Sequence, residues 1–238
     1  MVFTDYLYKN CEPNLMEFEN QLEIGNGIYT PSEIAKILRV PYAKVFRWIT
    51  KYWDGELGKE FAERYSWKVE NSTAVSFHTL VEFYSLMQFA EAGVKTRQVL
   101  EAHKDLSATY GTAFPFAMKE VLDNIKTDGF KIYLSKNRDV VTLDGTRQLN
   151  LDFIRFFFKK LDFDSGNIAS RFWPLGKEKS ILIDPNRKFG HPVIDDRNIY
   201  PETIHNLYLA GDPIAYISHV YNLSEKQIKD ALEFCEAA

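Results

Sequence analysis

The chain has 238 residues, 45% of them hydrophobic and 26% charged, with a formal net charge of −4. These values exclude a disordered chain and a uniformly basic nucleic-acid coat, and they fit one to three globular domains. No apolar run reaches the roughly 18 residues of a membrane span, and the N-terminus lacks the basic-then-apolar order of a secretory signal, so the expected setting is cytoplasmic.

Residues 1–26 hold one Lys against five acids and contain Pro13 and a Gly25-Asn26-Gly27 turn signal, which predicts an irregular N-terminal arm. Residues 28–53 reverse the sign, with Lys36, Arg39, Lys44, Arg47 and Lys51 against Glu33 alone. Thr30 and Glu33 form a capping-box pattern, and Pro31 takes the favoured first helical position. A short helix follows, Arg39-Val40-Pro41 breaks it, and a second helix buries Val45, Trp48 and Ile49. Tyr42, Lys44, Arg47 and Lys51 point away from that apolar face, the last three on one stripe at i, i+3 and i+7. A helix of this kind fits the DNA major groove, with Lys and Arg holding phosphates.

Two short runs at 67–69 and 75–77 predict a small hairpin. Helices are expected over 79–92, closed by Gly93, and over 96–110, closed by Gly111. Runs 131–134 and 139–143, separated by four polar residues, predict a second hairpin. The apolar segment 149–161 leans helical, and residues 162–180 read as a loop-rich connector. After a short strand at 181–183, three helices are expected over 201–209, 213–221 and 225–236. Asp212 is the expected cap of the second, and Ser224 with Gln227 the capping box of the third. The sequence shows no internal repeat.

Enzyme chemistry finds no pattern to stand on. His78, His103, His191, His205 and His219 make no metal-ligand spacing, and there is no Walker loop, GxGxxG or GxSxG. Cys11 and Cys235 lie at opposite ends with no zinc spacing. Asp184, Asp195 and Asp196 read as turn and cap residues rather than a cation site. Residues 156–158, all Phe, and Phe172-Trp173 read as core and connector packing. Neither a catalytic residue, a metal site nor a cofactor is expected.

The segment YTPSEIAKILRVPYAKVFRWI resembles the N-terminal helix–turn–helix of MerR-type regulators, matching at Tyr29, Thr30, Ala35, Leu38, Val40, Val45, Arg47 and Trp48. Residues 75–102 resemble the second half of such a winged domain. Arg39 stands where that family usually has Gly, and Phe46 where a basic residue is common. Residues 181–234 resemble a bacterial domain-of-unknown-function family of VapB-like antitoxins, through Asp184, Pro185, Gly190, Pro192, Val193, Ile199, Pro201, Gly211, Tyr221, Leu223, Ile228, Ala231 and Leu232. Residues 115–176 look like the segment joining these two domains when they share a chain.

These resemblances imply an antitoxin of a type II toxin–antitoxin pair. Its partner would be a PIN-like ribonuclease toxin, and it would repress its own operon as a homodimer. DNA contacts are expected from Tyr42, Lys44, Arg47 and Lys51, and partner contacts from Arg197, Tyr208, Tyr216 and Tyr221. The alternatives are a stand-alone MerR-type regulator answering to a small ligand, or an adaptor that has lost DNA binding. The expected fold is mainly α. It comprises an arm (1–26), a winged helix–turn–helix (27–111), a mixed β-hairpin connector (112–179) and a compact three-helix C-terminal module (180–238). The C-terminal stretch from 176 carries seven basic and ten acidic residues, a balance that suits a cationic protein partner.

Overall fold

The computed structural model describes residues 25–61, 64–69, 72–127, 132–136, 139–142 and 159–236. Residues 1–24 of the expected arm, and the expected helix at 149–161 as far as residue 158, lie outside the described residues. What is described is mainly helical, with small antiparallel hairpins.

Helix α1 (Pro31–Leu38) starts as the sequence predicts. Glu33 N–H donates to Thr30 Oγ1 at 3.4 Å, and Thr30 N–H donates back to Glu33 Oε2 at 2.7 Å. It ends at Arg39, which takes the left-handed conformation at φ 56°, ψ 46°. Pro41 then opens α2 (Tyr42–Arg47). This helix continues without a break through a π-helical stretch, Trp48–Leu57, into α3 (Gly58–Phe61). The wider winding is visible where Gly58 N–H donates to Trp53 O, five residues back.

Strands β1 (Ser66–Val69) and β2 (Ser72–Val75) form the first hairpin. The expected second strand at 75–77 is corrected here: Trp67 pairs with Ala74, and Phe77 already belongs to α4 (Phe77–Glu91). The cause is Ser76, whose Oγ accepts from Thr79 N–H at 3.4 Å and starts the helix two residues early. Helix α4 is the centre of the molecule. Its Phe83 meets the Trp53 ring edge-on at 4.8 Å and tilts against Trp48 at 5.5 Å. Helix α5 (Thr96–Tyr110) ends at Gly111, where φ is 63°.

Helix α6 (Lys119–Asn124) leads directly into β3 (Ile125–Thr127), a strand the sequence did not reveal. It adds to the predicted hairpin of β4 (Ile132–Lys136) and β5 (Asp139–Thr142). The loop expected at 162–180 is also corrected, because β6 (Leu161–Phe163) and β7 (Ala169–Phe172) pair across it. Phe172 packs on Tyr84 of α4 at 4.8 Å and exchanges backbone bonds with Ile183 at 2.8 and 2.9 Å. Next come β8 (Ile181–Leu182) and β9 (Val193–Ile194), then α7 (Pro201–Leu209), α8 (Ile214–Tyr221) and α9 (Glu225–Glu236). Ser224 and Gln227 cap α9 reciprocally, at 2.9 and 3.2 Å. Asp212 does not cap α8; Pro213 holds the cap position, with no side-chain bond. One continuous apolar core runs from Tyr29 to Phe234.

The α8–α9 corner repeats the α1–α2 corner. Arg39 and Asn222 (φ 51°, ψ 49°) occupy the same left-handed position. In both corners the next residue's N–H donates five residues back, Val40 to Ala35 at 3.0 Å and Leu223 to Ser218 at 3.1 Å. At matching offsets, Ile34, Val45 and Ile49 are buried in the first corner, and Ile217, Ile228 and Leu232 in the second. The repeat lies in geometry and burial rather than in residue identity.

Helix α9 is tied down by Asp230. Its carboxylate accepts from Ser180 N–H and Oγ at 2.9 Å each and from Lys226 Nζ at 2.9 Å, with Lys179 Nζ at 3.2 Å. Burial alone would raise this carboxyl, but the bonds from Lys226, Ser180 and Lys179 outweigh it and hold it below the usual range. The folded-state value is therefore depressed. The stability it contributes is present above the ordinary carboxylate value and is lost as pH falls through the folded value. Asp230→Asn is expected to cost about 2–4 kcal/mol at pH 7. Urea unfolding from pH 7 down to about 2.5 should show the gap to wild type closing below about pH 4. A gap constant with pH would refute this role.

Candidate functional site

Two surfaces remain exposed in ways that packing does not explain. The first is the outer side of α2. Val45, Trp48 and Ile49 are buried beneath it, which turns Tyr42, Phe46, Arg47, Thr50 and Lys51 to solvent. Tyr42 is 52% exposed and Phe46 43%, and their rings stack at 6.0 Å with 15° between planes. Among the described residues, no hydrogen bond or ion pair engages the Arg47 side chain. Lys44 is half-buried, its Nζ 5.3 Å over the Trp48 ring, and Lys51 Nζ lies 5.7 Å from the Tyr52 ring. Tyr42, Arg47 and Lys51 therefore share the exposed side, while Lys44 folds back toward Trp48. The stripe counted at 3.6 residues per turn does not extend to Lys51, because the π winding begins at Trp48. Phe46 was not among the expected contacts; its i+4 spacing from Tyr42, off the buried face, was the available signal. An open cleft of about 450 Å³ adjoins this corner, lined by Arg39, Lys44, Met87 and Glu91.

The second surface lies on α7 and α8. Helix α8 reads IAYISHVY, and only Ile217 of its eight residues is buried. Tyr216 is 56% exposed and Val220 52%, and on α7 Tyr208 is 41% and Leu209 68% exposed. Of the four residues expected to meet a partner, Tyr208 and Tyr216 stand free on this face. Tyr221 is half-buried against the core. Arg197 is engaged within the chain, donating to Asn222 O at 3.3 Å and Asp196 O at 3.1 Å. It ties down the end of α8. Leu209 and Val220 were not singled out from the sequence, because an apolar residue in a short helix reads as core by default.

Several of the histidines and acids have local partners. His191 Nδ1 lies 3.4 Å from Glu33 Oε1 of the α1 capping box. Ile28 N–H donates to Phe189 O at 3.0 Å, so the start of the first corner is fastened to the C-terminal module. Asp184 accepts from Asn186 N–H at 2.9 Å and Arg171 Nε at 3.2 Å, and Asp195 lies 3.7 Å from Arg187. His205 is half-buried and His219 exposed. Among the described residues no group of three His, Cys, Asp or Glu is placed to hold a metal ion, and no helix is long and apolar enough to cross a membrane. Burial pushes the Cys235 thiol up to about 12, which keeps it protonated and unreactive at neutral pH.

Comparison with known proteins bears on both surfaces. Residues 181–235, which include all of α7, α8 and nearly all of α9, match the family described as "Protein of unknown function (DUF433)". Over 235 residues the chain is 20% identical to "Putative antitoxin VapB45" of Mycobacterium tuberculosis (strain ATCC 25618 / H37Rv), covering 90% of this chain and 96% of that protein. The crystal structure of Rv2018 from Mycobacterium tuberculosis superposes with a TM-score of 0.64 at 18% identity, over 89% of this chain and 99% of that one. That likeness shows a shared fold over most of the chain.

Proposed function

We propose that this chain is an antitoxin that binds a toxin protein through the α7–α8 face and represses its own operon through α2. The observation that carries the reading is helix α8, six of whose eight residues are apolar or Tyr, with Ile217 buried and Tyr216 and Val220 more than half exposed. A monomer rarely leaves such a patch bare, and a hydrophobic centre with exposed Tyr is the composition of a protein interface. The relative named as an antitoxin, matching nearly end to end, supports the role. The toxin is expected to be a PIN-like ribonuclease, met by Tyr208, Tyr216 and the neighbouring Leu209 and Val220. On the other surface, α1 and α2 act as a helix–turn–helix with β1–β2 as its wing. Arg47, Lys51 and Lys44 hold phosphates, and Tyr42 faces the groove. A homodimer would present two such heads to paired half-sites.

The test has two arms. The tagged chain, isolated from its native cells at moderate salt, is expected to carry a small ribonuclease at a fixed ratio and to inhibit its RNA cleavage. Val220→Asp with Tyr216→Asp should weaken that complex by about 100-fold or more with unchanged Tm, as loss of a central apolar anchor does. In the second arm, Arg47→Ala with Lys51→Ala should reduce the salt slope of DNA binding by about 2. A chain that carries no protein, or a double Asp variant that still inhibits, would sink the antitoxin reading.

A further inference from the structure

The geometry points to Phe46 and Tyr42 as a stacked apolar reader of thymine methyl groups, which we propose sets this chain's sequence preference on duplex DNA. The inference rests on the DNA-binding reading of α2 and says what that helix recognises. The two rings are the large exposed apolar groups of the helix, and they lie nearly parallel, 6.0 Å apart. They are adjacent turns of one face, so both edges enter a groove together. Neither ring belongs to the buried core, which this stretch of helix meets through Val45, Trp48 and Ile49. Thr50 Oγ1 donates to Phe46 O at 2.8 Å and holds the turn that carries the ring.

The occupant follows from charge and groove chemistry. From Tyr42 to Lys51 the helix has no acid and three cations, Lys44, Arg47 and Lys51, while Lys36 and Arg39 are exposed on the adjoining corner. An apolar pair ringed by cations matches a polyanion with an apolar feature between its charges. Duplex DNA offers that in the major groove, where the C5 methyl of thymine is the one apolar group among hydrogen-bonding edges. The remaining polar group is the Tyr42 hydroxyl, free to meet a base edge or a phosphate. Phosphate contacts from Arg47 and Lys51 would position the helix, and the two rings would choose the sequence.

The experiment uses the full chain and the duplex from upstream of its own coding sequence. After footprinting, each thymine in the protected half-site is replaced in turn by deoxyuridine, which removes only the methyl. Wild type is expected to lose roughly fourfold affinity at one or two positions, the size of one methyl-scale apolar burial. Phe46→Ala is expected to bind more weakly overall and to be indifferent to deoxyuridine at one of those positions. Phe46→Leu, which keeps an apolar side chain, should retain most of the sensitivity. Both variants alter an exposed residue, and far-UV spectra and Tm check their folding. Wild type bound equally to both duplexes would overturn the inference while leaving DNA binding intact. So would sensitivity unchanged in Phe46→Ala, or equal affinity for the single strand. Absence of any retained duplex at low salt would overturn the DNA reading itself.

Discussion

Replacing Glu82 by Ala is expected to destabilise the protein by about 3–5 kcal/mol, the range for stripping one partner from a buried Glu–His contact. Glu82 on α4 is fully buried, and so is His103 on α5. Glu82 Oε2 lies 2.8 Å from His103 Nε2, while Oε1 accepts the Phe116 N–H at 2.8 Å. The other ring nitrogen, His103 Nδ1, lies 3.2 Å from Ser107 Oγ. One carboxylate thus joins α4, α5 and the turn at Pro115–Ala117 in a region walled by Trp53, Tyr65 and Phe116. Without it the buried Phe116 N–H loses its acceptor and the buried imidazole loses the carboxylate beside it. Domain stabilities are only about 5–15 kcal/mol, so this one change removes a large share. Glu82→Gln keeps the shape and an acceptor for Phe116 and should cost roughly half as much. His103→Ala should cost less in the Glu82→Ala background than in wild type, because the two act together. Urea unfolding of wild type and the four variants reads all of this. A loss below about 1 kcal/mol for Glu82→Ala, or strictly additive effects, would show that the pair does not hold the helices together.

The same pair illustrates what the sequence hid. Capping is local chemistry, written within four residues, and Thr30 with Glu33 and Ser224 with Gln227 were legible for that reason. Helix ends marked by Gly111 and starts marked by Pro201 were legible too. Glu82 and His103 are 21 residues apart on separate helices, and only tertiary packing turns them toward each other. Strands β6 and β7 were missed because the pairing of Leu161 with Phe172 is set by Tyr84 and Ile183 from elsewhere, whereas Asp164, Ser165 and Gly166 between them spell a loop. The repeated corner was invisible because residue types drifted while the geometry stayed: Arg39 and Asn222 share a left-handed backbone but nothing else. At the sites, the charge reversal at 28–53 stood in the residue types, and the outward positions of Tyr42 and Arg47 were readable from helical spacing. The bareness of Leu209, Val220 and Phe46 was not, since exposure of an apolar residue depends on what fails to cover it.

Gly190→Ala is expected to cost about 2–4 kcal/mol, combining left-handed strain with overpacking. Gly190 has φ +86°, a conformation side chains rarely adopt, and a Cβ there would run into the Tyr29 hydroxyl and ring and come within 3.2 Å of Gly27 Cα. Tyr29 is itself buried, and burial pushes its hydroxyl well above the ordinary value; among the described residues that hydroxyl has no hydrogen-bond partner. Tyr29→Phe alone should therefore be neutral or mildly stabilising, since it removes a buried polar group that nothing satisfies. In the Gly190→Ala background it should recover part of the loss by deleting the nearest clashing atom, leaving the backbone strain in place. The contact joins the two halves of the molecule: Tyr29 immediately precedes the α1 capping box, and Gly190 sits between Phe189, which accepts from Ile28, and His191, which meets Glu33. Hydrogen exchange in Gly190→Ala should accordingly rise at Ile28, Tyr29 and the first turn of α1, while the far end of α5 stays protected. A Gly190→Ala variant within about 0.5 kcal/mol of wild type, or one in which Tyr29→Phe recovers nothing, would show that this junction is looser than its packing indicates and that the two corners move independently.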